Sequence, residues 1–275
     1  MRQGKVGCLR MSIQRVHSKS AKTSVLLADA KLREFVPDTR GFSERSVREM
    51  LEQYGMIYVK PVKGTFGRGV IRVEHSPGES RPYLFQSGER KYRFETFERM
   101  YARLLTVKSA RTYLAQQGIH LLEYDNRRFD LRVMVQKNPA DAWETTGMIG
   151  RLAHPRKIVT NYHSGGTPMP VEKLLAPTLT PDKIEQLTKT LQTHGVNVAA
   201  ALERKFPRLK ELGIDVALDD RLKPWILEVN TKPDVHLFLK LPNRTVYRRM
   251  YRYAVAYGRF SSRKRKPAVM RKRRA

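Results

Sequence analysis

The chain has 275 residues, which at roughly 100–200 residues per domain makes one large domain or two small ones. Hydrophobic residues are 40% and charged residues 29%, outside the disordered regime, and the absence of any 18-residue apolar run excludes a membrane-spanning helix. Lys and Arg number 54 against 26 Asp and Glu, a formal net charge of +28, and the lone cysteine, Cys8, excludes an intramolecular disulfide or a four-cysteine zinc site. The N-terminus leads into no apolar h-region, so the expected compartment is the reducing cytoplasm.

Residues 1–21 are polar and basic without a sustained period and read as an N-terminal arm. Lys22 to Arg33 predicts a short helix that must stop before Pro37. Ser43 to Tyr54 predicts a second helix, with Ser46 and Glu49 at capping-box spacing, Ser43 as the earlier N-cap candidate and Gly55 placed as a C′ glycine. The period then falls to two. Met56–Val59 and Val70–Val73 predict strands around a glycine-rich loop, and Tyr83–Phe85 with Tyr92–Phe94 a second hairpin. Helices are expected from Phe97 to Leu105 and from Ser109 to Leu114. Phe129–Val135 and Gly147–Gly150 predict a strand pair. Thr180-Pro181-Asp182 opens a long helix to Lys205, with a kink or break expected at Gly195. Val216–Leu218 and Trp225–Val229 predict the last hairpin. The expected class is α+β with antiparallel hairpins.

Four constellations carry chemistry. In the first, glycines at 64, 67 and 69 follow Lys60 between two strands, so backbone N–H groups can turn toward one point beside an ammonium. The loop is neither a Walker loop nor a Rossmann fingerprint, and taken alone it also fits an ordinary hairpin loop. In the second, Glu228 and Asn230 share one face of a strand, and antiparallel pairing can bring Asp215 beside them. Two carboxylates and an amide oxygen suit magnesium held against a triphosphate, while surface salt bridges remain the alternative. In the third, Asp130 and Arg132 share a face of a buried strand, as phosphoryl contact or as half of an ion pair. The fourth joins Arg151 to the segment Asn161–Thr167, which otherwise reads as a turn.

Taken in order, these pieces resemble the ATP-grasp superfamily and most closely the YheC/YheD-type endospore-coat-associated proteins, with RimK-type ligases and glutathione synthetases sharing a looser version. The resemblance rests on Phe35–Thr39, Val59–Gly64, Arg128–Val133 and Leu227–Asn230 and covers about residues 22–240. It implies two α+β subdomains clamping ATP: a lead-in at 22–40, a small lid subdomain at 41–116 and a large subdomain with the metal site at 117–240. Lys22 and Lys60 would meet phosphates, Lys63, Gly64, Thr65, Phe66, Gly67 and Gly69 would close over them, and Gln116, Gln117, Gly118 and Ile119 would meet adenine, with Asp130 also on the nucleotide side. Asp215, Glu228 and Asn230 would hold Mg2+. Arg132, Arg151 and Asn161 would hold the γ-phosphate and an acyl-phosphate formed from it.

The implied activity is an ATP- and magnesium-dependent carboxylate–amine ligase, with an unidentified carboxylate and amine as substrates. Its chemistry needs no nucleophilic side chain, so neither His163 nor His236 is assigned a role. Family members carry an additional N-terminal acceptor domain, and about twenty residues precede Lys22, which leaves substrate choice open. The alternative reading is a weakly catalytic or non-catalytic spore-associated structural protein that binds ATP. Residues 241–275 read as a basic tail. From Arg259 onward it holds nine Lys and Arg and no acid, and removing those residues still leaves +19. A polyanion such as nucleic acid, an anionic membrane or a spore polymer is the partner this charge implies.

Overall fold

The computed structural model describes residues 12–261. Helix α1 (Lys19–Ala28) starts on Ser18, whose hydroxyl accepts from the Ala21 N–H, and a 3-10 turn at Arg33–Phe35 leads toward Pro37. Then come β1 (Thr39–Gly41), α2 (Glu44–Tyr54), β2 (Met56–Pro61), β3 (Ile71–His75), β4 (Tyr83–Ser87), β5 (Arg90–Phe94), α3 (Phe97–Val107) and β6 (Tyr113–Gln117). The strands form one antiparallel sheet in the order β1-β6-β2-β3-β4-β5. Both helices bury an apolar stripe on it: Val47, Met50 and Leu51 from α2, and Phe97, Met100 and Leu104 from α3, pack with Ile57, Val59, Val73 and Phe85.

The second half contains β7 (Glu123–Tyr124), β8 (Arg127–Lys137), β9 (Trp143–Leu152), β10 (Thr167–Met169), α4 (Val171–Leu175), α5 (Pro181–Lys205), β11 (Glu211–Leu218), β12 (Pro224–Asn230) and α6 (Arg244–Ala256), with 3-10 helices at Tyr162–Ser164 and Val235–Lys240. Its sheet runs β10-β9-β8-β11-β12, with β7 paired to β8. The two-residue period of β8 sorts its side chains. Phe129, Leu131, Val133 and Val135 enter the core with Leu191, Val198 and Leu202 of α5. On the opposite face, Met134 is covered together with Ile149 by Val235, Phe238 and Met250, whereas Asp130, Arg132 and Arg151 line an open cleft.

Several expectations change. The segment expected to be helical at 109–114 instead enters β6, because residues 113–117 are hydrogen-bonded on both sides, to β1 and to β2, and sheet pairing overrides local propensity. Helix α5 is continuous through Gly195. A Cβ there would lie 3.0 Å from Val135 and 3.1 Å from Val133 and Thr145, so the glycine lets the helix press onto β8 and β9. The box that caps α2 is Ser43 with Ser46, each side chain accepting from the other's N–H, and Gly55 closes the helix at φ +68°. The expected tail begins with helix α6, which buries Met250, Tyr253 and Ala254. Within the expected arm, Val16 N–H donates to Thr231 Oγ1 and Gln14 N–H to Arg208 O. Cys8 and the basic residues from Arg263 onward lie outside the described residues. Among the described residues, no helix is long and apolar enough to cross a membrane.

Candidate functional site between the two sheets

A cleft of about 790 Å3 is lined by both sheets. The first sheet contributes Tyr58 and Lys60 of β2 and Gln116 and Gln117 of β6; the second contributes Asp130, Arg132, Arg151, Asp215, Glu228 and Asn230. Nine Lys and Arg against four Asp and Glu line it, so cationic side chains are in excess there.

Strand register assembles the polar floor. Across three adjacent strand pairs, Asp130 lies opposite Arg151, Arg132 opposite Asp215, and Asp215 opposite Glu228. The register shifts after Asp215, where Val216 pairs with Ile226 and Leu227 is left over, so Glu228 and Asn230 come beside Asp215 on the cleft face. Arg151 grips Asp130 with two bonds, Nε to Oδ1 at 2.8 Å and Nη2 to Oδ2 at 2.5 Å, and lies 3.1 Å from Asp215 Oδ2. Arg132 Nε donates to Asp215 Oδ1 at 2.5 Å. All four groups are buried. Burial alone would raise the Asp215 pKa, but the two guanidiniums hold it below the usual carboxylate range. Burial would likewise lower the Arg151 pKa, and the two aspartates instead raise it. To reach Asp215, Arg132 crosses Gly213, where a Cβ would lie 3.1 Å from its Cδ. Such a balanced, fully paired quartet keeps four charges fixed at low solvent exposure.

Three lysines converge above this floor. Lys60 Nζ donates to Gln116 Oε1 at 2.5 Å, and Lys22 Nζ to Val16 O at 2.9 Å. Burial lowers each pKa from 10.5 to about 8, with Glu228 opposing the shift. Lys19 Nζ lies 3.3 Å from Glu228 Oε1 and donates to Gly64 O at 3.1 Å, linking α1, β12 and the glycine-rich loop. That loop is docked across the cleft. Phe66, at φ +61°, stacks obliquely on His163 with ring centroids 4.2 Å apart, and its carbonyl accepts from Ser164 Oγ. Gly67 sits at φ +70°, and a Cβ there would be 2.7 Å from Asn161 Oδ1.

Of the residues singled out from the sequence, Lys22, Lys60, Lys63, Gly64, Thr65, Phe66, Gly67, Gln116, Gln117, Ile119, Asp130, Arg132, Arg151, Asn161, Asp215, Glu228 and Asn230 all line this cleft. Gly69 and Gly118 do not. Gly69 packs beside Tyr113 Oη, and Gly118 packs on Met56 while its N–H donates to Met56 O. Lys19 was not anticipated; its place one turn before Lys22 on α1 was the available signal. Tyr162, within the segment Asn161–Thr167 singled out above, also lines the cleft, as do Thr160, Thr231 and Lys232, which had no pattern to mark them.

Among the described residues, no group of three His, Cys, Asp or Glu side chains is placed to hold a metal. Asn230 lies beside the two carboxylates, its amide Nδ2 3.5 Å from Asp215 Oδ2. Two carboxylates and an amide on adjacent strands are of the hard-oxygen type that would suit Mg2+, and both Asp215 oxygens are here held by arginines.

A family model described as YheC/D like ATP-grasp matches residues 10–260. The chain is similar to the endospore coat-associated protein YheD of Bacillus subtilis (strain 168), 23% identical over 199 residues that cover 70% of this chain and 42% of that protein. It is also similar to YheC of the same organism, 23% identical over 202 residues, 72% of this chain and 55% of that protein. The chain thus spans about half the length of these curated relatives. Among solved structures it is similar to carboxyaminoimidazole ribonucleotide synthase from Aspergillus clavatus complexed with ATP, at TM-score 0.47 and 12% identity over 80% of this chain and 45% of that one. With the family match running from before the first described residue to the end of the α6 region, the chain belongs to the YheC/D-like ATP-grasp family, and its two sheets are the two α+β subdomains of that fold.

Proposed function

We propose that the cleft binds Mg·ATP and that the protein is a carboxylate–amine ligase acting through an acyl-phosphate. The observation that carries the reading is that Lys60, from one sheet, lines the same cleft as Asp215, Glu228 and Asn230, from the other, beneath a glycine-rich loop. Lys60 and Lys22 would hold phosphate oxygens, and the loop from Lys63 to Arg68 would cover the triphosphate with backbone N–H groups. Gln116, Gln117 and Ile119 would edge the adenine. Asp215, Glu228 and Asn230 would hold Mg2+, which supplies shielding of the β- and γ-phosphate charge when bound. Arg132, Arg151 and Asn161 would orient the γ-phosphoryl group and the incoming carboxylate.

In the first step a carboxylate oxygen attacks the γ-phosphorus and ADP leaves. An amine then attacks the acyl carbon, losing a proton as inorganic phosphate departs. Bringing a carboxylate to a triphosphate concentrates negative charge, and the surplus of cations in the cleft offsets it. The relatives are named for the endospore coat. We extend that to an association of this protein with the spore of a spore-forming bacterium, which fractionation of spores checks.

The test compares thermal unfolding of the wild type, Lys60→Ala and Glu228→Ala with and without Mg·ATP. A ligand at 100 times its Kd stabilises the folded state by about 2.7 kcal/mol. The wild type should show that response and both variants should lose most of it; a wild type indifferent to Mg·ATP overturns the reading. A second reading, nucleotide binding without turnover, is favoured by one observation: both Asp215 oxygens are already held by arginines. Release of ADP and phosphate with a broad panel of acids and amines, measured against Glu228→Ala, separates the two.

A further inference from the structure

Helix α6 contains no Asp or Glu, and none occurs anywhere after Asp234. Its four arginines divide by period. Arg249 faces inward, donating to Thr146 O at 2.7 Å and lying 3.3 Å from Glu144, beside buried Met250 and Ala254. Arg244, Arg248 and Arg252 recur every four residues and are all exposed. Arg244 donates to Leu239 O, and among the described residues none of the three pairs with a carboxylate. Elsewhere this protein intersperses its exposed helical cations with acids, as in Arg45–Glu49 and Arg48–Glu44 on α2 and Lys189–Glu185 on α5. Like charges four residues apart instead destabilise a helix. A face kept against that cost fits a polyanion.

The chemistry of the neighbouring side chains narrows the class. Tyr247 and Tyr251 follow the arginines along the next row of the helix, and Phe260 stacks on Tyr251 at 5.1 Å and 17°. His236 joins this ring cluster. Half-buried rings beside a row of arginines suit stacked bases and their phosphates. The helix rise of 1.5 Å per residue sets the arginines about 6 Å apart, close to successive phosphates of a strand. A membrane is disfavoured because the apolar face of α6 is already buried on the second sheet.

We propose that the outer face of α6 is a docking surface for single-stranded nucleic acid, bound without sequence preference through Arg244, Arg248 and Arg252. This goes beyond nucleotide binding in the cleft and does not depend on it. The experiment measures anisotropy of a mixed-sequence single-stranded DNA oligonucleotide with the full chain across a salt series. Each phosphate contact contributes about −0.7 to the slope of log K against log salt for single strands, so R244Q/R248Q/R252Q should flatten the slope by about 2. Arg→Lys at the same three positions should restore most of it, and the thermal response to Mg·ATP should be unchanged throughout. An unchanged slope would assign binding to the basic residues beyond the described chain and overturn the proposal. Equal affinity for polyglutamate, or for anionic vesicles, with the same loss in the triple variant would overturn the choice of nucleic acid.

Discussion

Lys22 and Lys60 are held with pKa values near 8 because the fold buries their ammonium groups. Between that value and the ordinary 10.5, the unfolded chain keeps protons that the folded chain has lost, so stability rises with pH through the window, and the burial cost is fully present below it. A phosphate set against both groups favours their charged forms. Nucleotide affinity should therefore fall as pH climbs above about 8, with proton uptake on binding in the same range. Titration calorimetry in buffers of different ionisation enthalpy reads that uptake. An affinity that stays flat across the window would remove these lysines from the phosphate site. At this scale residue types and their order were legible in the chain, while the partners were hidden: Arg132 could be read either as a phosphoryl contact or as half of an ion pair, and it is bound to Asp215.

The glycine-rich loop reaches across the cleft, where Phe66 meets His163 and Ser164. Gly67 takes a left-handed φ and leaves no space for a Cβ against Asn161 and Val159. Gly67→Ala should hold the loop off the 158–164 segment and weaken the Mg·ATP thermal response by at least about tenfold in apparent Kd, at a rough 1–2 kcal/mol of left-handed strain. Unfolding without ligand should lose no more than that strain, since the loop contributes no residue to the buried core of its sheet. A variant that binds Mg·ATP as tightly as wild type would separate the loop from nucleotide binding. The loop's glycine spacing was visible in the sequence, but its contact with His163 and Ser164, about a hundred residues away, was not. Separation in the chain also hid β6, whose five residues become a strand only because β1 and β2 flank them.

Across the whole molecule, one buried carboxylate ties the two ends of the described chain together. Glu211, fully buried on β11, lies 2.7 Å from Arg15 and 2.5 Å from Arg259 and accepts from Tyr257 Oη at 2.8 Å. Its Oε1 is in ion-pair contact with Arg15 but out of line for a hydrogen bond. Arg15 and Arg259 also donate to the carbonyls of Thr231 and Pro233, in the segment that follows Asn230 along the cleft. Removing one partner from a buried charge cluster typically costs 3–5 kcal/mol, so Glu211→Gln should lower stability by about 3 kcal/mol in urea unfolding. It should also loosen residues 231–234, read as faster amide exchange there than in α2. Uniform exchange with wild-type stability would mean the carboxylate is not a tie.

By itself the sequence determined the class of most elements, through period two and period 3.6, and the ordered set of lysine, glycine loop, Asp-Arg strand and Glu-Val-Asn strand that marks the family. Those signals are local, each spanning a turn or a strand. Tertiary structure decided which strand lies beside which, and therefore that Asp130, Arg132, Arg151 and Asp215 neutralise one another in a row. It also decided that α6, indistinguishable by charge from the basic tail it precedes, folds onto the second sheet. The physical reason is the same in both cases. Cross-strand pairing and burial depend on residues far apart in the chain, and charge alone specifies neither.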